Sequence, residues 1–195
     1  RPIGDGTLND YKILHFATHG ASEGQFGCEE SPSALLTSFG EDGSDMLLSF
    51  DEIPNLNLDA NLVVLSACET ESVLGEDSLQ LAGGLQPGET LAGLVRAFFS
   101  ANARAVMATY WEASAAEDSE IFFRTFYSSG RTKSIASSLQ DAQTELIQTA
   151  EYSHPFYWGP FFVVGNTANG MLAEGTASRA EEESETRTRV AAVSE

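Results

Sequence analysis

The chain has 195 residues, enough for one domain with a sizeable buried core, and its 42% hydrophobic and 10% aromatic content is that of a globular protein. Its 29 acidic against 10 basic residues give a net charge of −19, which would repel a phosphate backbone, so nucleic acid is set aside and a basic partner or substrate is favoured. Two cysteines make no disulfide framework and fit a reducing, cytoplasmic setting, and no apolar run approaches the roughly 20 residues of a membrane span. The first residue is Arg1 and not methionine, so a fragment of a longer protein is expected.

In chain order, residues 11–18 read as the first strand, and residues 20–32, rich in Gly, Ser and Glu, as a loop. Ala34-Leu35-Leu36-Thr37 and Met46-Leu47-Leu48 flank Gly40-Glu41-Asp42-Gly43, which predicts a small hairpin on the domain edge. Ser49 with Glu52 three residues on has the spacing of a capping box before a short helix that Pro54 limits. Leu62-Val63-Val64-Leu65 is a continuous branched run, the pattern of a strand buried on both faces of a parallel sheet. Residues 69–89 form a long polar stretch with Gly75, Gly83, Gly84 and Gly88, read as a functional loop. Leu91, Leu94, Val95, Phe98 and Phe99 make a helical stripe over residues 90–102, and residues 105–110 a third buried strand. Ser114 and Glu117 would cap a helix through Phe122, Phe123, Phe126 and Tyr127 that ends at Gly130. Residues 134–149 are again amphipathic, and an aromatic corner from Pro155 to Pro160 leads into a last strand at residues 161–165. Alternating strands and helices predict an α/β domain with a mainly parallel sheet over residues 1–165; residues 166–195, with Glu181-Glu182-Glu183, are expected to be a polar, disordered tail.

The chemistry concentrates where two of these strands end. Ligands bind at the carboxyl ends of strands in open α/β sheets, and Cys68 follows one such end, His19 another. If the strands are parallel neighbours, an imidazole and a thiol share one rim, the minimum for a cysteine nucleophile. The N–H groups of Gly20 and Cys68 could then receive the oxyanion of a tetrahedral intermediate. A free cysteine is more often a small core hydrophobe, and only the position of Cys68 argues for function. Adjacent Glu69 would oppose thiolate formation unless the two side chains diverge. Ser66 lacks the Gly-x-Ser-x-Gly surround of a serine nucleophile. His15 and His19 share a strand face roughly 13 Å apart, too far for one metal ion. With Cys28 and His154 they show no zinc-ligand spacing, so no metal or other cofactor is expected. His15 reads instead as a buried structural histidine with a hydrogen-bond partner, and His154 as a corner residue.

Leu14-His15-Phe16-Ala17-Thr18-His19-Gly20 and Val63-Val64-Leu65-Ser66-Ala67-Cys68-Glu69-Thr70 together resemble the paired signatures of the CHAT domain, a caspase-like cysteine peptidase family of the clan of caspases, metacaspases, separase and gingipains. The resemblance continues through residues 94–99, 103–111 and 154–161. It implies a caspase-like three-layer sandwich with a mainly parallel sheet between helices. It also implies His19 as general base and acid, Cys68 as nucleophile, and Gly20 and Cys68 N–H groups as the oxyanion hole. In that clan the position two before the cysteine, here Ser66, helps shape the pocket for the residue preceding the cut. Glu69, Glu112 and Asp118 are further pocket candidates, the last two as acids for a basic substrate residue. After Trp111 the chain reads Glu112-Ala113-Ser114-Ala115, a departure from the Pro-Val-Asp-Asp type of the family. The resemblance further implies a protein substrate, a role in bacterial signalling or defence, and an upstream TPR-like or other regulatory domain. A catalytically silent CHAT scaffold that binds partners is the alternative.

Overall fold

A computed structural model describes residues 7–21, 34–37, 47–66, 87–111 and 117–173. Its strands are β1 (Ile13–Phe16), β2 (Gly20–Ala21), β3 (Ala34–Leu36), β4 (Leu47–Ser49), β5 (Leu62–Leu65), β6 (Ala105–Thr109) and β7 (Phe161–Gly165). Its helices are α1 (Pro87–Ser100), α2 (Glu117–Ser129), α3 (Ile135–Gln148) and the single turn α4 (Pro155–Trp158). The central sheet runs β1-β5-β6-β7, with β1, β5 and β6 parallel and β7 antiparallel. A small antiparallel sheet, β2-β3-β4, lies apart from it.

All of β5 is buried because each face of the sheet is covered. Val63 and Leu65, with Leu14, Val106 and Ala108, meet the α1 stripe Leu91, Leu94, Ala97, Phe98 and Ala101. Leu62 and Val64, with Ala105 and Met107, meet Phe122 and Phe126 of α2 and Ile135, Ala142 and Leu146 of α3. Successive strand residues point to opposite faces, so one short branched strand feeds both cores. The result is the expected three-layer α/β sandwich with a mainly parallel sheet and an edge hairpin.

The helix ends follow local chemistry. α1 closes with Asn102 at φ 71°, Ala103 N–H donating to Phe98 O at 3.0 Å and Asn102 N–H to Phe99 O at 3.0 Å, a Schellman arrangement. Ser134 Oγ caps α3 by accepting from Ser137 N–H. The Ser49–Glu52 box forms as read, Ser49 N–H donating to Glu52 Oε2 at 2.8 Å and Glu52 N–H to Ser49 Oγ at 3.2 Å. The helix it precedes is only a 3-10 turn, Ile53–Asn55. α1 begins at Pro87, so the last residues of the stretch read as loop over 69–89 are helical.

At the amino end of the sheet, Asp59 bridges Lys12 and Arg104, whose residues directly precede β1 and β6. Past β7 the chain stays on the body through Ala173. Ile135 N–H donates to Asn169 O at 2.9 Å and Ala136 N–H to Thr167 O at 3.0 Å, so this segment satisfies the open first turn of α3. Met171, 1% exposed, fills the space over Gly130, where a Cβ would collide with the Met171 thioether. Of the stretch read as a tail from residue 166, the described part is packed; residues 174–195 lie outside the described residues.

Candidate active site

β1 and β5 lie side by side in parallel, Phe16 opposite Leu65. The ladder continues one step, Ser66 N–H donating to Phe16 O at 3.1 Å. The two strands therefore end level at one rim. In sequence His19 is three residues beyond Phe16, and Cys68 three beyond Leu65. His19 is exposed, and its backbone is held: Leu36 N–H donates to His19 O at 2.9 Å, and Thr18 Oγ donates to Leu36 O at 2.7 Å. Gly20 is buried and opens β2, paired with Leu35. The stretch read as loop from Gly20 thus starts as a strand that joins the hairpin to the histidine.

His15, read as a buried structural histidine, is exposed as a residue but has both ring nitrogens engaged. Nε2 lies 2.8 Å from Ser66 Oγ, and Nδ1 lies 2.9 Å from the Tyr127 hydroxyl of α2. The Phe123 ring lies tilted against it at 4.9 Å and the Tyr127 ring, also tilted, at 6.0 Å between centroids. Burial against them lowers the His15 pKa below its ordinary 6.5, which favours the neutral imidazole. Burial likewise pushes the Tyr127 phenol up to about 12. Phe123 and Tyr127 also wall a shallow groove with Glu117, Glu120 and Arg124.

Ser66 is half-buried at the end of β5. Asp118 sits in the first turn of α2, 3% exposed, with Oδ1 lacking a hydrogen-bond partner. Cys28, Cys68, Glu69 and Glu112 lie outside the described residues, as does the Ser114 cap. His154 is the cap of α4, accepting from Phe156 N–H at 3.2 Å. Among the described residues, no three His, Cys, Asp or Glu side chains gather as metal ligands.

A family model for the CHAT domain matches residues 6–166, which contain both strand ends and, among the described residues, α1 to α4. The chain belongs to the CHAT domain family. It is also 28% identical over 189 residues to tetratricopeptide repeat protein 28 of Mus musculus, and 26% identical over 190 residues to the protein of that name in Homo sapiens. Each comparison covers 82% of this chain but only 7% of the relative's length. Among the described residues of this CHAT domain, no helix is long and apolar enough to cross a membrane.

Tyr127 and Phe123 are the contacts that the motifs do not point to. Their signal in the sequence is slight: they stand at an i, i+4 spacing one step off the core pair Phe122 and Phe126, so α2 carries a second aromatic row.

Proposed function

We propose that this CHAT domain is a cysteine endopeptidase acting through Cys68 and His19. The observation that supports it best is the level, parallel ending of β1 and β5, with each candidate residue the same three positions past a paired residue. Parallel strands leave a sheet in one direction, so two short connections of equal length begin together at one rim.

In this reading His19 takes the Cys68 proton and the thiolate attacks a peptide carbonyl. The oxyanion accepts hydrogen bonds from the N–H groups of Gly20 and Cys68. Collapse breaks the C–N bond, the His19 imidazolium protonates the leaving amine, and a thioester remains. Water, losing its proton to His19, then attacks the thioester and returns the thiol and a carboxylic acid. Ser66 and Asp118 are the pocket candidates among the described residues, and in this reading the Asp118 carboxyl would receive a basic substrate residue. The named relatives are tetratricopeptide repeat proteins, which supports regulation by a helical-repeat domain of the same or a partner chain.

The test is an electrophilic peptide probe with the adduct located by mass spectrometry. Wild type is expected to label at Cys68, and Cys68→Ala not at all. His19→Ala is expected to label at least about 100-fold more slowly, the scale of a lost general base. Labelling of Cys68 at an undiminished rate in His19→Ala would identify an ordinary exposed thiol and refute the dyad; no labelling in wild type would favour a silent scaffold.

A further inference from the structure

The connections that leave described residues at the carboxyl rim share one sign of charge. Residues 38–46, between β3 and β4 beside His19, carry three Asp or Glu; residues 67–86, after β5, carry four; residues 112–116, after β6, carry one. None of the three carries Lys or Arg. A rim built this way attracts a basic peptide segment and repels an acidic one. A peptidase that cuts after basic residues also finds no such residue in these connections, so it does not open the long one that contains Cys68.

The ten Lys and Arg stand elsewhere. Lys12 and Arg104 bind Asp59, and Lys133 binds Asp141. Arg96 and Arg124 lie inside α1 and α2, where carbonyls are bonded within the helix. Arg131 is in the turn beside Met171, at the amino end of the sheet. Arg1 has no residue before it in this chain. Arg179, Arg187 and Arg189 remain, all in the sequence that follows Ala173.

Reach separates these three. Ala173 O is held by the Asn61 amide just before β5, and Ser66 at the rim is five positions on from Asn61, about 16 Å along a strand. Both faces of β5 are covered, so chain passing from one end to the other must also go out and back over a layer about 10 Å thick. The path is then roughly 35–40 Å. Arg179 is six positions past Ala173 and spans at most about 22 Å; Arg187, fourteen past, spans up to about 50 Å, and Arg189 more. Arg179 is also followed by Glu181-Glu182-Glu183, which an acidic rim repels, whereas Arg187-Thr188-Arg189-Val190-Ala191 carries no acid.

We propose that the domain is its own substrate in one place only, cutting intramolecularly after Arg187 or Arg189 and leaving the connection around Cys68 whole. The proposal rests on the peptidase reading with a basic residue before the cut. The arginine carbonyl becomes a thioester on Cys68, the amine of Thr188 or Val190 leaves with the proton from His19, and water then frees the thiol and the new carboxylic acid.

Intact-mass spectrometry of the full chain over time tests this. Wild type is expected to lose residues 188–195 or 190–195 with a rate constant unchanged by about tenfold dilution, and Cys68→Ala to lose neither. The double variant Arg187→Gln, Arg189→Gln is expected to be cut at least about 100-fold more slowly, since a site built for one polar group rejects a residue lacking it. A cut within residues 67–86, a dilution-independent cut after Arg179, undiminished loss in the double variant, or an intact wild-type chain that still labels at Cys68 would each overturn the proposal. Absence of Cys68 labelling in wild type would instead remove the peptidase reading, and the self-cleavage with it.

Discussion

Asn61 allows the packing of the chain beyond β7 to be measured apart from the candidate site. It is 4% exposed and lies just before β5, at the sheet end opposite the rim. Its amide donates to Met171 O at 3.0 Å and to Ala173 O at 2.5 Å, while its Oδ1 accepts from Arg104 Nη1 at 3.2 Å. Asn61→Ala removes all three bonds. Arg104 keeps Asp59 as a partner, so the loss falls on the two carbonyls. A buried acceptor left unsatisfied costs about 1–3 kcal/mol. Taking Met171 O in full and the half-buried Ala173 O at a fraction gives roughly 2–4 kcal/mol. At about 2–4 °C per kcal/mol for a domain of this size, the melting temperature should fall by roughly 4–16 °C. Urea and thermal unfolding read the loss, and hydrogen exchange should show residues 167–173 opening before the sheet. A change within about 0.5 kcal/mol, the scale of an indifferent surface site, would refute the clamp. So would equal exchange rates in variant and wild type. Labelling of Cys68 is expected to be unaffected, since the clamp and the rim lie at opposite ends of β5.

Gly165 has φ +99°, and a Cβ there would press on Arg104 O and lie 2.9 Å from the Phe99 ring, so Gly165→Ala should cost about 2–4 kcal/mol in urea unfolding; a neutral result would mean that the backbone is not held in that region. Thr18→Val deletes the 2.7 Å bond to Leu36 O at nearly constant volume and should cost about 1 kcal/mol while slowing probe labelling, whereas unchanged labelling would separate the hairpin from His19. His15 has a folded pKa below 6.5, so as pH falls under 6.5 the unfolded chain takes up its proton first and stability declines until the folded pKa is passed. Asp59, held below its ordinary 3.8 by hydrogen bonds from Lys12 and then Arg104, adds stability above 3.8 that is lost as pH falls through its folded value. His15→Gln, which keeps polar groups but does not titrate there, should flatten the upper of these two slopes in pH-dependent urea unfolding; an identical slope would show that the His15 shift does not contribute.

The elements that carry their own pattern were legible in the sequence. β5 is four branched residues that the core requires on both faces, and α1 and α3 show the spacing of a helix with one buried stripe. β2 was not legible, because two residues cannot display an alternation; Gly20–Ala21 is a strand only because Leu35 and Ala34 lie opposite. Gly130 was read as a terminator, and it does end α2, but not with a positive φ: its lack of a side chain makes room for Met171, 41 positions on, which no local pattern encodes. The rim was inferred from two motifs and a guess that their strands were neighbours, and the pairing of Phe16 with Leu65 bears out the guess. The hold of Tyr127 on His15 spans 112 positions and needed the helix to be laid across the sheet before it could be seen.

The sheet thus has two ends with different physical demands. At the amino end the short segments before β1, β5 and β6 are tied by Lys12, Asp59, Arg104 and Asn61 to one another and to the chain beyond β7. At the carboxyl end, chain leaving the strands is tied outward instead, His19 and Thr18 to the hairpin and Ser66 through His15 to α2. A site needs its side chains fixed to a fraction of an ångström, which loops achieve only when rigid elements hold them. Here separate elements brace the two strand ends, the hairpin on the β1 side and α2 on the β5 side. On the peptidase reading, a change in either brace is therefore expected to slow labelling of Cys68, while a change at the amino end is expected to lower the stability of the whole and leave that labelling unchanged.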